Sequence, residues 1–143
     1  MSFIQKLIQT QAVKPPSSLG AQGEEWAVEE YKKRGYAVVA RNAFNAKGKR
    51  AGELDVVVTS DTKIIFVEVK TRTIGSQRFG TGAEAVNRTK QQRIIRAAQL
   101  FLALHPEYAV LRPQIDVCVI LVDPVDTNVR SVTIIENSVD DLT

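Results

Sequence analysis

The stretch "IIFVEVKTR", which runs from Ile64 to Arg72, decides the fold of this chain. It is built like a buried β-strand, in which successive side chains point to opposite faces. One face is then wholly apolar, with Ile65, Val67 and Val69. The other face starts apolar and ends in two charges, in the order Ile64, Phe66, Glu68 and Lys70. Either the strand emerges into water at this end, or a cleft holds the two charges for a purpose.

The stretch "ELDVVVTS" just before it predicts an antiparallel partner strand over Glu53–Ser60. Between the two strands, Asp61 and Thr62 suit a two-residue hairpin loop. With that loop, Asp55 falls opposite Glu68. The Cβ atoms of directly opposed residues are about 5 Å apart, so the two carboxylates repel each other. We therefore expect the pair to need a compensating cation or a shared proton.

Two sources of positive charge fit this pair of carboxylates. Lys70 lies on the same strand face as Glu68 and supplies one charge. A divalent ion supplies two, and oxygen ligands are what Mg²⁺ prefers. The competing interpretation places Asp55 and Glu68 at the open end of a hairpin, where water solvates them and Lys70 is a surface partner. The hairpin alone leaves both interpretations open.

The rest of the chain predicts a single mixed α/β domain over residues 19–143, with helices packed against the sheet. A short amphipathic helix and a linker containing two prolines and two serines are expected over residues 1–18. The predicted elements are, in order, a helix over Ala21–Arg34, strands over Tyr36–Asn42, Glu53–Ser60 and Lys63–Thr71, a helix from Ala83 or Glu84 to about Leu104, and strands over Ile115–Val122 and Val129–Glu136.

Composition bounds the possible functions. Of the 143 residues, 44% are hydrophobic, which is enough for the core of one domain. The net charge of +3 permits nucleic-acid binding without requiring it. No run approaches the roughly 18 apolar residues of a spanning helix, so we expect no membrane partner. The single cysteine, Cys118, is expected in a buried strand; it excludes an internal disulfide and fits a cytoplasmic location.

Two classes of enzyme are disfavoured by what the sequence lacks. There is no G-x-x-x-x-G-K-[ST] phosphate loop, which argues against a nucleotide-hydrolysing engine. A serine or cysteine hydrolase is disfavoured because the one cysteine is expected to be buried. The one histidine, His105, also lies far along the chain, at the end of the predicted long helix.

Six pieces of sequence carry a family resemblance: "GAQGEEWAVEEYKKRGY" (Gly20–Tyr36), "ARN" (Ala40–Asn42), "GELDVV" (Gly52–Val57), "FVEVKTR" (Phe66–Arg72), "FGTGAEAV" (Phe79–Val86) and Lys90. Their order and spacing resemble the YraN-like family of uncharacterised bacterial proteins. At fold level that family resembles the PD-(D/E)XK nuclease superfamily, and in motif layout it is similar to archaeal Holliday-junction resolvases. The resemblance covers residues 19–122 and implies a restriction-endonuclease-like mixed central sheet flanked by helices.

The resemblance also implies a catalytic site on the hairpin. Its elements are Asp55, followed on the next strand by Glu68 and Lys70. A glutamate on the first helix belongs to the same pattern; Glu24 matches it, and Glu25 is the neighbouring alternative. On the long helix, an auxiliary polar residue is matched by Lys90 or Gln91.

The implied cofactor is Mg²⁺ or Mn²⁺, held by Asp55, Glu68 and the backbone carbonyl of Val69. Such an ion would lower the pKa of a bound water and neutralise charge on a phosphate. Lys70 would orient that water and stabilise the transition state. The chain departs from the superfamily pattern at Leu54, which stands where a proline precedes the aspartate, and this departure weakens the motif.

These features predict a metal-dependent endonuclease that acts on DNA. Branched DNA as the substrate, and a homodimer as the assembly, are expected by analogy with the resolvases. The candidate nucleic-acid-binding residues have basic or amide side chains that can contact phosphates without reading sequence. They are Lys47, Lys49, Arg50, Arg72, Arg78, Arg88, Lys90, Gln91 and Arg93. For each arginine the alternative is a solvated surface.

Two other functions stay open. The chain could be a catalytically inactive module that holds DNA or RNA, or an adaptor that binds a protein partner through Met1–Thr10. Because every acidic position of the motif is filled, the enzyme is favoured over the inactive module. Asp116, in an apolar strand, is expected to be structural and to hydrogen-bond an arginine such as Arg112.

Overall fold

The computed structural model describes residues 18–44, 53–75, 88–128 and 130–137. Within these residues the stretch Ile64–Arg72 lies in the central strand of a five-stranded sheet. The elements are, in chain order, α1 (Leu19–Lys33), β1 (Ala37–Phe44), β2 (Glu53–Thr59), β3 (Lys63–Thr73), α2 (Arg88–Leu104), a short 3-10 helix (Pro106–Tyr108), β4 (Arg112–Val122) and β5 (Arg130–Ile135).

The strands lie side by side in chain order, β1-β2-β3-β4-β5. Neighbouring strands are antiparallel except β3 and β4, which are parallel. A parallel pair needs a long crossover, and α2 lies in that connection. The described residues thus form a mixed α/β domain with two flanking helices, which confirms the predicted fold class and order of elements.

The two faces of β3 contribute to two separate cores, as the alternation predicted. Ile65 and Val67 join the core that packs against α1. Ile64 and Phe66 join the core that packs against α2. Beside β3, β4 is buried at every position from residue 114 to residue 120, so the centre of the sheet is covered on both faces.

Helix α1 starts two residues earlier than predicted because Ser18 caps it. The Ser18 hydroxyl accepts a hydrogen bond from the N–H of Ala21 at 3.1 Å. Gly35, with φ of 91°, follows the helix in the left-handed conformation that favours glycine. At Gly23 the helix comes so close to β3 that a Cβ atom would lie 1.8 Å from Oγ1 of Thr71. Helix α1 is therefore pressed against the end of β3 that carries the charges.

Strand β3 runs two residues further than predicted, to Thr73. The reason is that β4 pairs with it in parallel register as far as Thr73 and Val122. The long helix was expected from residue 83 or 84, and its described part begins at Arg88. Residues 83–87 lie outside the described part of the chain.

The predicted N-terminal helix and linker, over residues 1–18, lie outside the described residues apart from Ser18. The domain boundary at residue 19 is therefore still a prediction. Neither α1 nor α2 is long and apolar enough to cross a membrane.

One predicted hydrogen bond is wrong. Asp116 is 1% exposed and accepts hydrogen bonds from the Tyr31 hydroxyl at 2.8 Å, the Gln114 side-chain amide at 2.8 Å and the Asn137 backbone N–H at 3.0 Å. The expected partner, Arg112, is instead an exposed residue at the start of β4. The carboxylate thus joins α1, β4 and the turn after β5 through neutral donors.

Candidate active site

The hairpin that brings the carboxylates together has the predicted two-residue turn. The backbone N–H of Ser60 donates to the carbonyl of Lys63 at 2.9 Å. The ladder ends one position before Asp55 and Glu68, so both side chains lie where β2 and β3 begin to separate. The pairs that keep the predicted offset are Thr59 with Ile64, Val58 with Ile65, Val57 with Phe66 and Val56 with Val67.

Asp55 reaches across this opening. Its Oδ2 accepts a hydrogen bond from the backbone N–H of Val69 at 2.9 Å, which fixes the carboxyl group against β3. Burial raises the pKa of Asp55 to about 8, and repulsion from Glu68 and Glu24 adds to the rise, while the Val69 N–H opposes it. Asp55 therefore holds its proton more firmly than an exposed aspartate does.

Glu68 carries two ammonium groups on one oxygen atom. Its Oε1 lies 2.7 Å from Nζ of Lys90 and 3.2 Å from Nζ of Lys70. The side chains of Glu68 and Lys70 are 7% and 9% exposed, whereas that of Lys90 is 37% exposed. Charge-assisted hydrogen bonds of this length are strong where water is excluded.

The two lysines differ in their electrostatic state. Burial lowers the pKa of Lys70, and the hydrogen bond and repulsion from Lys90 lower it further against the attraction of Glu68. Burial also acts to lower the pKa of Lys90, but its hydrogen bonds to Glu68 and Lys70 and the attraction of the carboxylates reverse this and raise it. Lys90 is thus the more firmly protonated of the two.

The different exposure of Glu24 and Glu25 on α1 decides which of them lies beside the hairpin carboxylates. Glu24 is half-buried, and its charge acts on Asp55. Glu25 is exposed and its Oε1 accepts a hydrogen bond from Nη2 of Arg41, on β1, at 2.5 Å. We therefore place Glu24, and not Glu25, beside Asp55 and Glu68. The name acid–lysine cluster is used below for Glu24, Asp55, Glu68, Lys70 and Lys90.

Several predicted phosphate contacts lie near the acid–lysine cluster. Arg72 is on the same face of β3 as Lys70, is half-buried, and donates from Nη1 to the carbonyl of Thr71 at 2.9 Å. Arg88 and Arg93 are exposed on α2, and Gln91 is half-buried beside Lys90. Lys47, Lys49, Arg50 and Arg78 lie outside the described residues, so their contribution is still a prediction.

The sequence did not predict one contact of the candidate site. Val69 was expected to act through its carbonyl, yet its N–H is the group that holds Asp55. The hairpin carries the signal, because β3 has no β2 partner beyond Val67, and the next N–H groups that point toward β2 then lack a ladder carbonyl. A nearby carboxylate is the natural acceptor for such a group.

The donor atoms of the cluster fit a hard divalent cation. Among the described residues no group of three or more histidine, cysteine, aspartate or glutamate side chains is placed to hold a metal. Mg²⁺ does not need one, because it usually keeps several waters and binds through one or two carboxylates and a substrate phosphate. Asp55 and Glu68 supply two carboxylates, and such an ion would offset the repulsion between them.

Comparison with known proteins places these residues in a named family. A model of the uncharacterised protein family UPF0102 matches residues 23–120, a range that contains the whole acid–lysine cluster. A UPF0102 protein of Caldanaerobacter subterraneus subsp. tengcongensis is 34% identical over 121 residues, which are 85% of this chain and 93% of that protein. A UPF0102 protein of Caldicellulosiruptor bescii is 36% identical over 120 residues, 84% of this chain and 95% of that one. One from Xanthomonas campestris pv. campestris is 41% identical over 98 residues, 68% and 75% of the two chains.

Proposed function

The chain belongs to the uncharacterised protein family UPF0102, and we propose that it is a metal-dependent endonuclease that hydrolyses phosphodiester bonds in DNA. UPF0102 is the YraN-like family, so membership confirms the family that the six sequence pieces predicted, and the likeness to the nuclease superfamily stays a prediction. The family's description names no activity, so the proposal rests on the chain's own geometry.

One observation carries the proposal: two carboxylates and two lysines meet at one end of the sheet, largely out of water. Glu68 and Lys70 are both at least nine-tenths buried, and Lys90 bonds to the same carboxylate. Removing charged groups from water costs several kcal/mol per ion, which the attraction within a pair only partly or just offsets. Buried charged clusters therefore occur more often at functional sites than elsewhere. A purely structural hairpin end would be cheaper with polar residues in water.

Asp55, Glu68 and the carbonyl of Val69 are the atoms that would hold Mg²⁺ or Mn²⁺. When bound, the ion would supply Lewis-acid activation of water and of the phosphate. Lys70, held by Glu68, would orient the attacking water and stabilise the charge that develops on the phosphate oxygens. Glu24 would help to hold the metal directly or through a water.

DNA is the proposed substrate because the surface beside the acid–lysine cluster is basic. Helix α2 carries Arg88, Lys90, Arg93 and Arg96 and has no acidic residue. Such side chains grip the phosphate backbone without reading bases, which suits cleavage directed by DNA structure rather than sequence. Branched DNA is the form to test first, with a homodimer as the proposed assembly.

A cleavage screen tests the proposal. The purified chain is incubated with Mg²⁺ or Mn²⁺ and with four-way junction, duplex and single-stranded DNA, and with RNA. We expect cleavage that EDTA abolishes and that falls by at least about a hundredfold in Asp55→Asn and in Glu68→Gln. Glu25→Gln is the matched control, because Glu25 is exposed and pairs with Arg41 outside the cluster. Equal cleavage by the Asp55→Asn, Glu68→Gln double variant would refute the assignment.

A second function has its own supporting observation. The two lysines on Glu68 already neutralise that carboxylate, so the cluster can be balanced in charge without a metal. A chain that only binds nucleic acid would use α2 and leave the acids inert. Tight DNA binding that is insensitive to EDTA and to Asp55→Asn, with no cleavage of any substrate, would favour this module.

A further inference from the structure

We infer that Lys90 is a displaceable counter-ion, which neutralises Glu68 until a divalent cation binds there and then transfers to a phosphate of the nucleic acid. This inference rests on the proposed function and deepens it. It makes the binding of the cation and the binding of the substrate depend on each other through one side chain.

The first step in the argument is crowding around a single oxygen. Glu68 Oε1 already lies 2.7 Å from one ammonium nitrogen, on Lys90, and 3.2 Å from another, on Lys70. A divalent ion that binds this carboxylate would add two more positive charges within a few ångströms. Where water is scarce, repulsion between cations at such distances is strong. At least one ammonium group must therefore move away.

The second step identifies which lysine moves. Lys70 is on the central strand of the sheet, and its side chain is only 9% exposed. If it left Glu68, its charge would lack both a partner and water. Lys90 is in the first turn of the described part of α2, and its side chain is 37% exposed. A long lysine stem can carry its ammonium group into water at small cost, so Lys90 is the group that yields.

The third step identifies where Lys90 goes. Lys90 depends on a nearby anion, because a charge-assisted contact at 2.7 Å holds its ammonium group at the cluster. Glu68 is that anion until the ion binds. The anion that the proposed function brings to the same place is a backbone phosphate, and exposed Arg88 and Arg93 lie on the same helix to guide it.

A thermodynamic coupling follows from these steps. A cation that releases Lys90 prepares it for a phosphate, and a phosphate that captures Lys90 clears Glu68 for the cation. Linkage requires that each ligand tighten the binding of the other by the same factor. Replacing Lys90 with a neutral side chain removes the competition and the part of the coupling that passes through Lys90.

The first test measures cation affinity alone. Mn²⁺ is titrated calorimetrically into the wild type, Lys90→Met, Lys90→Arg, Asp55→Asn and Lys32→Met, after circular dichroism shows that each variant is folded. We expect Lys90→Met to bind Mn²⁺ about fivefold more tightly or better than the wild type. Lys90→Arg keeps the competing charge and should stay near the wild type. Lys32→Met removes the same charge from the exposed end of α1 and controls for net charge.

The second test measures the coupling. The affinity for a fluorescent four-way junction is followed by anisotropy in EDTA and in Ca²⁺, with gels to show that the DNA stays intact. In the wild type and in Lys32→Met we expect Ca²⁺ to tighten DNA binding about fivefold or more beyond its effect on Asp55→Asn. In Lys90→Met that gain should fall to about half or less, because only the direct contact between the cation and the phosphate is left.

The outcomes separate the displacement of Lys90 from the metal site. If the wild type binds Mn²⁺, Asp55→Asn does not, and Lys90→Met binds equally or more weakly, the displacement is wrong and the metal site stands. The displacement is also wrong if Ca²⁺ tightens DNA binding to Lys90→Met as much as it does to the wild type. If neither the wild type nor Lys90→Met binds any cation, with or without DNA, the metal site itself is refuted and the displacement falls with it.

Discussion

Two aspartates on neighbouring parts of one sheet have opposite surroundings. Asp116 in β4 receives three hydrogen bonds, all from neutral donors. Asp55 in β2 receives the Val69 N–H and faces the charges of Glu68 and Glu24. The first arrangement uses a buried carboxylate to join elements of the fold, whereas the second places like charges beside a largely buried carboxyl group. Two buried carboxyl groups of one sheet thus differ in the nature of their partners.

The largest effect on stability is expected at Asp116. Replacing it with alanine leaves Tyr31, Gln114 and the N–H of Asn137 without their buried acceptor, and each such loss costs about 1–3 kcal/mol. We expect the free energy of unfolding to fall by about 3–5 kcal/mol, measured by urea denaturation. Tyr31→Phe removes only one of the three contacts and should cost about 1 kcal/mol. A loss below that of Tyr31→Phe would end the structural interpretation of Asp116.

The pH dependence of stability should come from the other aspartate. The folded-state pKa of Asp55 is raised from 3.8 to about 8, so folding favours its protonated form. Its contribution is fully present below about pH 4 and is lost as the pH rises through about 8, by an amount on the order of 2–4 kcal/mol. Urea midpoints of the wild type and Asp55→Asn, compared from acid to alkaline pH, isolate this contribution. Parallel curves would contradict it.

At neutral pH the substitution Asp55→Asn should stabilise the protein by about 1–3 kcal/mol, because most of the loss described above has accrued in the wild type by pH 7 and asparagine does not ionise. Asparagine keeps an oxygen that can accept the Val69 N–H and removes the repulsion from Glu68. Thermal unfolding of the two proteins, side by side with Asp116→Asn, makes the comparison direct. A large loss in Asp55→Asn would mean that Asp55 serves the fold as Asp116 does.

The smallest effect is expected at Cys118, which lies on β4 two residues from Asp116. Burial raises the pKa of the Cys118 thiol to about 12, with the charges of Glu30 and Asp116 contributing. The thiolate, which is the reactive form, is therefore scarce and inaccessible. We expect reaction with a thiol reagent only as fast as the protein unfolds, followed by absorbance. Rapid labelling of the native chain would show that the Asp116 side of the sheet opens locally.

These same residues show which contacts could be predicted from the sequence and which could not. The hairpin offset was predictable because a two-residue turn and strand alternation are local rules, and they placed Asp55 beside Glu68. The partners of Asp116 were not predictable, because Tyr31 is 85 positions away and many polar residues could have met it. The contact of Lys90 with Glu68 depends on how α2 crosses the sheet, which no local pattern reports; only the family resemblance pointed to that position.

The close approach of α1 to β3 bears on how the cluster could be altered. Gly23 touches Thr71, and the next residue along the helix is Glu24. The absence of a side chain at Gly23 therefore sets how closely α1 approaches β3. The substitution Gly23→Ala would add one methyl group between helix and strand and push Glu24 away from Asp55 and Glu68. It would not replace any charged residue of the cluster. Distance and charge at this end of the sheet can in this way be varied independently.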